Sequence, residues 1–261
     1  MNKILAIALN TYRESIRNKV FYIIVVFAMF LLSCSLILAT LALGEDDRII
    51  KHVGLSAINI FGLLMAIFVG VNLVYDELEK RTVYTIIASG VKRYEFLFGK
   101  FLGLFFTVGV NILIMGFMLC LLVVAWPECT LSATLVLAIL LFLLEMLVIS
   151  AIAILFSSFS TPILSAVLTF MCCVIGHMSE DLLEWSQRLG EQGSAVFSKF
   201  LMVMYYILPN LEIFNLKNQV IYSEDIGSIG HHFITYPLYA IVYSGILMII
   251  AVLSFSRRDF K

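Results

Sequence analysis

Leu131–Phe156 reads LSATLVLAILLFLLEMLVISAIAILF, an apolar run interrupted by a single charge, Glu145. At about 1.5 Å per residue a helix of this length exceeds the roughly 30 Å hydrocarbon core of a bilayer. Four more runs meet the same test: Val20–Leu43, Val53–Tyr75, Phe101–Trp126 and Phe233–Phe255. Pro162–His177 is shorter but almost wholly apolar, and it opens at Ser160-Thr161-Pro162, a hydroxyl placed to cap a helix before a first-turn proline. Counting it as the fifth of six, the expected fold is all-α: a polytopic membrane protein with six transmembrane helices in one domain, 1–261.

Composition agrees. Hydrophobic residues are 62% of the 261, charged residues 13%, and mean hydropathy is +1.03. A soluble domain carries about twice that charged fraction. The net charge of −1 comes with no basic face of the kind that binds a nucleic-acid backbone. Cys34, Cys120, Cys172 and Cys173 lie inside apolar runs, and Cys129 alone falls in a loop, so no disulfide framework or CxxC site is expected.

The 17 Lys and Arg set the orientation. With the N-terminus inside, twelve fall on the cytoplasmic side, in 3–19, 80–100 and 257–261; Arg48, Lys51, Arg188, Lys199 and Lys217 remain outside. Both termini are then cytoplasmic. Val196–Leu208 is apolar but short, and crossing there would export Arg257, Arg258 and Lys261; it is read as a re-entrant or interfacial segment between spans five and six. Residues 3–18 form an amphipathic interfacial helix, with Leu5, Leu9, Tyr12 and Ile16 on one side and Lys3, Asn10, Arg13, Glu14 and Arg17 on the other. The first apolar run is too long for a signal h-region and follows nineteen residues, so no cleavable signal is expected.

Chemistry is sparse. Gly99-Lys100 is the nearest approach to a Walker A loop, yet Tyr94 stands where the first glycine belongs and Phe101 follows the lysine. No HExxH occurs. His177 is placed at the outer end of span five without a partner, and His231-His232 falls short of the three or four ligands a metal needs. Glu145 is the sole acid deep in a span; it either faces a cavity or dimer seam, or sits protonated between helices. Asn72 and Asn111 are expected to bond between helices in the same way.

The segment between spans two and three is denser in information. It runs Asp76-Glu77-Leu78-Glu79-Lys80-Arg81-Thr82, through Ala88-Ser89-Gly90, to Val91-Lys92-Arg93-Tyr94-Glu95 and Gly99-Lys100. Charged and apolar residues alternate at helical spacing on both sides of Ser89-Gly90, which predicts a helix–turn–helix at the cytoplasmic surface suited to docking a soluble partner.

In the order of Glu77, Thr82, the small-residue turn, Val91, Arg93, Glu95 and Gly99-Lys100, the chain resembles the permease subunits of ABC-2 type exporters. Gly90 stands where many relatives have proline. Ala8–Glu14 is similar to that family's interfacial helix, Leu208-Pro209-Asn210-Leu211-Glu212-Ile213-Phe214 to the outer-loop motif of its nitrous-oxide-reductase-maturation and gliding-motility subgroup, and Arg257-Arg258-Asp259-Phe260 to its closing residues. The resemblance implies a bacterial or archaeal cytoplasmic membrane and two copies forming an export path. It implies a cytoplasmic coupling helix between spans two and three that docks an ATP-binding subunit through Glu77, Glu79, Arg81, Thr82, Arg93 and Glu95. ATP and Mg would sit on that partner; this chain would bind no cofactor and catalyse no reaction. The outer segment 178–232 is long enough to meet an extracytoplasmic partner or cargo. Two other functions fit the residues: a proton-coupled secondary carrier using Glu145, and a membrane scaffold or sensor docking a cytoplasmic partner.

Overall fold

A computed structural model describes residues 3–40, 46–79, 91–126, 129, 131–191, 194–217 and 234–257. Among them the fold is helical throughout: α1 Lys3–Ile16, α2 Lys19–Thr40, α3 Asp46–Glu79, α4 Arg93–Ala125, α5 Ala133–Phe159, α6 Pro162–His177, α7 Ser179–Glu191, α8 Ala195–Ile207, a 3₁₀ turn Glu212–Phe214, and α9 Thr235–Arg257. Among the described residues four stretches are long and apolar enough to cross a membrane: Asp46–Leu73, Arg93–Ala125, Ala133–Phe159 and Thr235–Ser256. The number rises to six if each of two bent pairs is one span, α1 with α2 at 63° and α6 with α7 at 68°.

The run that opened the sequence reading becomes the central post. α5 packs against α3, α4, α6 and α9, while α2 lies outside α3 and α1 lies on α4. Phe142, Met146 and Ile149 of α5 meet the buried Ile58 and Met65 of α3 and Val108 and Ile112 of α4 in one core. Phe27, Phe30, Phe117, Leu121, Ile241 and Ile249 point outward. An apolar outer surface around an apolar core is what lipid requires of a bundle.

Local signals account for the helix ends. Ser132 Oγ accepts from Leu135 N at 3.3 Å to start α5. Pro162 starts α6 through its fixed φ, and the Thr161 hydroxyl makes no capping bond, contrary to expectation. Asp46 and Asp47 occupy the first turn of α3, where the helix dipole favours them. Asp47 also binds Lys51 at 2.6 Å and Asp46 accepts from Trp126 Nε1 at 3.0 Å.

One expectation changes at the charged end of the bundle. Asp76–Glu79 and Arg93–Lys100 are not a separate surface helix pair; they are the unbroken ends of α3 and α4. A coupling helix would have to lie in 80–90, outside the described residues. On α1, the side that packs is Ala8, Thr11 and Ser15, whereas Leu5 and Leu9 face outward. Small residues win that position because α1 rides close on Gly99 and Gly103: a β-carbon on Gly103 would stand 2.5 Å from Thr11 Cβ and 2.7 Å from the Ala8 carbonyl.

Candidate functional site: a buried carboxylate facing a histidine

Glu145 is fully buried at mid-length of α5. Asn59 of α3 donates from Nδ2 to its Oε2 at 3.2 Å. His177, the last residue of α6, brings Nε2 to 3.2 Å from Oε1. The contact is close, but among the described residues Oε1 makes no aligned hydrogen bond. The other ring nitrogen, Nδ1, lies 3.0 Å from the Cys173 carbonyl.

The meeting corrects the expectation that His177 has no partner. Glu145 comes fourteen residues before the end of α5 and His177 fifteen after the start of α6. At about 1.5 Å per residue these are depths of about 21 and 22 Å from the α5–α6 turn. His177 is therefore level with the middle of α5, and it has a partner. α6 stops there because the chain returns against it. Leu211 N donates to the Gly176 carbonyl at 3.0 Å, and the Pro209 carbonyl would stand 2.8 Å from a β-carbon at Gly176. The 68° bend into α7 follows, and α7 pairs with α8 through Ser186 and Ser198, each hydroxyl donating to the other's carbonyl at 3.0 and 2.7 Å.

The segment 208–217 roofs the pair. Asn210 Oδ1 accepts from Glu212 N at 3.1 Å, Asn215 Oδ1 from Lys217 N at 3.2 Å, and Asn215 Nδ2 donates to Glu212 Oε1 at 2.9 Å. Asn210 N donates to Tyr239 Oη of α9 at 2.9 Å, and Phe214 is buried against the rings of Tyr236 and Tyr239. Burial pushes the Glu212 carboxyl above its ordinary range, against the pull of Asn215 and His177. Burial likewise lowers Lys217, against the attraction of Glu145 and Glu212. The Lys217 ammonium stands 5.9 Å from the Phe142 ring centre, one turn from Glu145. Among the described residues no group of three or more His, Cys, Asp or Glu could hold a metal ion.

Other expected site residues have different surroundings. Asn72 donates to the Phe68 carbonyl of its own helix at 2.9 Å instead of across a seam. Asn111 is fully buried with neither amide atom hydrogen-bonded among the described residues. Glu95 accepts from Lys92 N at 2.8 Å and so caps α4. Arg93 Nη1 donates to the Ser256 carbonyl at 2.7 Å, at the end of α9 where the helix dipole is negative. Both thus have roles within the chain. The side chains of Glu77 and Glu79, and residues Arg81, Thr82, Ala88-Ser89-Gly90, His231-His232 and 258–261, lie outside the described residues. Asn59, His177, Glu212 and Lys217 were not singled out as partners of Glu145; matching residue counts on either side of the 160–161 turn would have found His177.

No protein-family model and no curated protein matches the chain.

Proposed function

We propose that this chain is the membrane-spanning permease subunit of an ABC exporter. Two copies form the path, and a separate ATP-binding subunit carrying ATP and Mg drives it. In this reading α2, α3, α4, α5, α6 with α7, and α9 are six spans. α1 lies along the inner face of a bacterial or archaeal cytoplasmic membrane, α8 is a re-entrant or interfacial outer helix, and both termini are cytoplasmic.

The observation that carries the reading is the joining of distant segments at the end of the bundle where the 77–95 motif emerges. Lys100, only 1% exposed, contacts Glu14 of α1 at 3.4 Å and the Phe96 ring at 6.0 Å. Arg93 holds the end of α9. The motif's flanks continue without a break into α3 and α4. A push on the loop is therefore delivered to α1, α3, α4 and α9 together, as a chain that takes its energy from a docked ATPase requires. Co-purification from the native membrane in mild detergent tests this. A bound ATP-binding subunit that is lost from Arg81→Glu, with the melting temperature unchanged, is the expected result. A folded dimer without an ATPase overturns it. Arg93→Glu is a poor probe, since it also disturbs α9.

The carrier alternative draws support from one observation, the Glu145–His177 contact. Transport that follows a proton gradient without ATP, and stops in Glu145→Gln, would put it in place of the ABC reading.

A further inference from the structure

We propose that Glu145 and His177 form an intramembrane binding site for one proton, and that this proton latches the α6–α7 joint to α5. The inference is independent of what energises the chain, because it concerns a resting equilibrium of two residues.

A carbonyl oxygen can only accept, so the 3.0 Å contact with Cys173 places a hydrogen on His177 Nδ1. A neutral ring of that tautomer presents a lone pair at Nε2. Glu145 Oε1 lies 3.2 Å from that nitrogen. A lone pair against an ionised carboxylate is repulsive, more so where no water screens it. One further proton resolves the contact, held on Nε2 as imidazolium or on Oε1 as the neutral acid. Asn59 occupies the other oxygen as a donor and serves either form. The remaining groups facing the pair come from two directions. Cys173 is on α6, and Lys217 and Glu212 belong to the 208–217 roof with opposite effects on an ionised Glu145. Neither roof charge removes the clash at Nε2.

The mechanical consequence follows from position. α5 is packed by four helices, whereas His177 ends α6 at a 68° bend. Beyond it α7 and α8 pack chiefly on each other, and α8 presents Val196, Phe197 and Phe200 outward. When the proton leaves, the repelled partner that can yield is the joint, together with the Gly176–Leu211 hydrogen bond beside it.

The test uses the full chain in lipid nanodiscs between about pH 5 and 9, the range in which a histidine site changes charge. Histidine ring ¹⁵N spectra, assigned by His177→Gln, are read with the infrared carboxylic-acid band and amide hydrogen exchange over 174–182. The expected wild type shows a doubly protonated His177 ring or a protonated-acid band that Glu145→Gln removes. Exchange then rises as that proton is lost. In Glu145→Gln, whose amide donates to Nε2 at every pH, exchange becomes independent of pH; His177→Gln gives the same loss if the first variant does not fold. A neutral ring beside an ionised carboxylate throughout the range overturns the site. A hydrogen on Nε2 in place of Nδ1 does the same. Exchange that follows pH equally in wild type and variant overturns the latch.

Discussion

Replacing Gly103 by alanine adds one carbon where α1 crosses α4. That carbon would stand 2.5 Å from Thr11 Cβ, 2.7 Å from Thr11 Cγ2 and 2.7 Å from the Ala8 carbonyl oxygen. Carbon pairs rest at about 3.5–4.0 Å, so α1 must retreat by about 1 Å. No rotamer relieves the clash, because two of the three obstacles are a backbone oxygen and a β-carbon. Overpacking of this kind costs about 1–3 kcal/mol, roughly a 5- to 150-fold change in the folding equilibrium. The same retreat stretches the Lys100–Glu14 contact, now 3.4 Å. Controls lie in the same membrane. Gly109→Ala meets only Leu143 Cδ2 at 3.6 Å, an ordinary contact, and Gly245→Ala meets nothing within 4 Å. Each should be neutral or gain up to about 0.5–1 kcal/mol from the alanine's helix preference. Thermal unfolding in one detergent, followed by helical circular dichroism, ranks the three. If Gly103→Ala melts together with Gly245→Ala, α1 is not seated on α4 and the coupling path through Lys100 fails with it.

Further outcomes follow from the same contacts. Asn59→Leu withdraws the donor from Glu145 Oε2 and should cost about 1–3 kcal/mol in detergent unfolding; an unchanged midpoint would show that water replaces it. Glu95→Ala removes the cap of α4, at about 0.5–2 kcal/mol, whereas Arg93→Ala frees the α9 end at about 0.3–1 kcal/mol. Limited proteolysis should accordingly open near 92 in the first variant and near 256 in the second. Glu212 has its folded carboxyl raised, so the folded chain holds that proton more tightly than the unfolded one. Its contribution is whole at acid pH and is lost as pH climbs through the folded value; Glu212→Gln should flatten that part of the stability profile. Lys217, lowered by burial, acts in the opposite sense at alkaline pH, where the cost of its buried charge is relieved as it deprotonates.

Membrane character and helicity were legible in the residues alone, for a simple reason. Lipid offers no hydrogen bonds, so an apolar run of some twenty residues has to close its backbone bonds within itself as a helix. The run Val53–Tyr75 falls inside α3, and Phe101–Trp126 falls inside α4 except for its last residue, the extended C-cap; at their charged ends both helices extend past the runs because the flanking charged residues keep the same backbone pattern. The amphipathic spacing of 3–18 likewise located α1, though not the side that packs, since hydrophobicity does not report which stripe is small enough to approach Gly103.

The centre of the molecule needed the tertiary structure. Glu145 could be picked out from the chain because a charge inside an apolar run has no cheap place to be. Its partners could not. Asn59 lies 86 positions away on another helix, and His177 meets Glu145 only because α6 ends level with the middle of α5. Polar pairing inside a bundle depends on depth and facing, and those are set by where helices stop, bend and cross. The Pro209–Leu211 return against Gly176 fixes that stopping point, and with it the contact between His177 and Glu145.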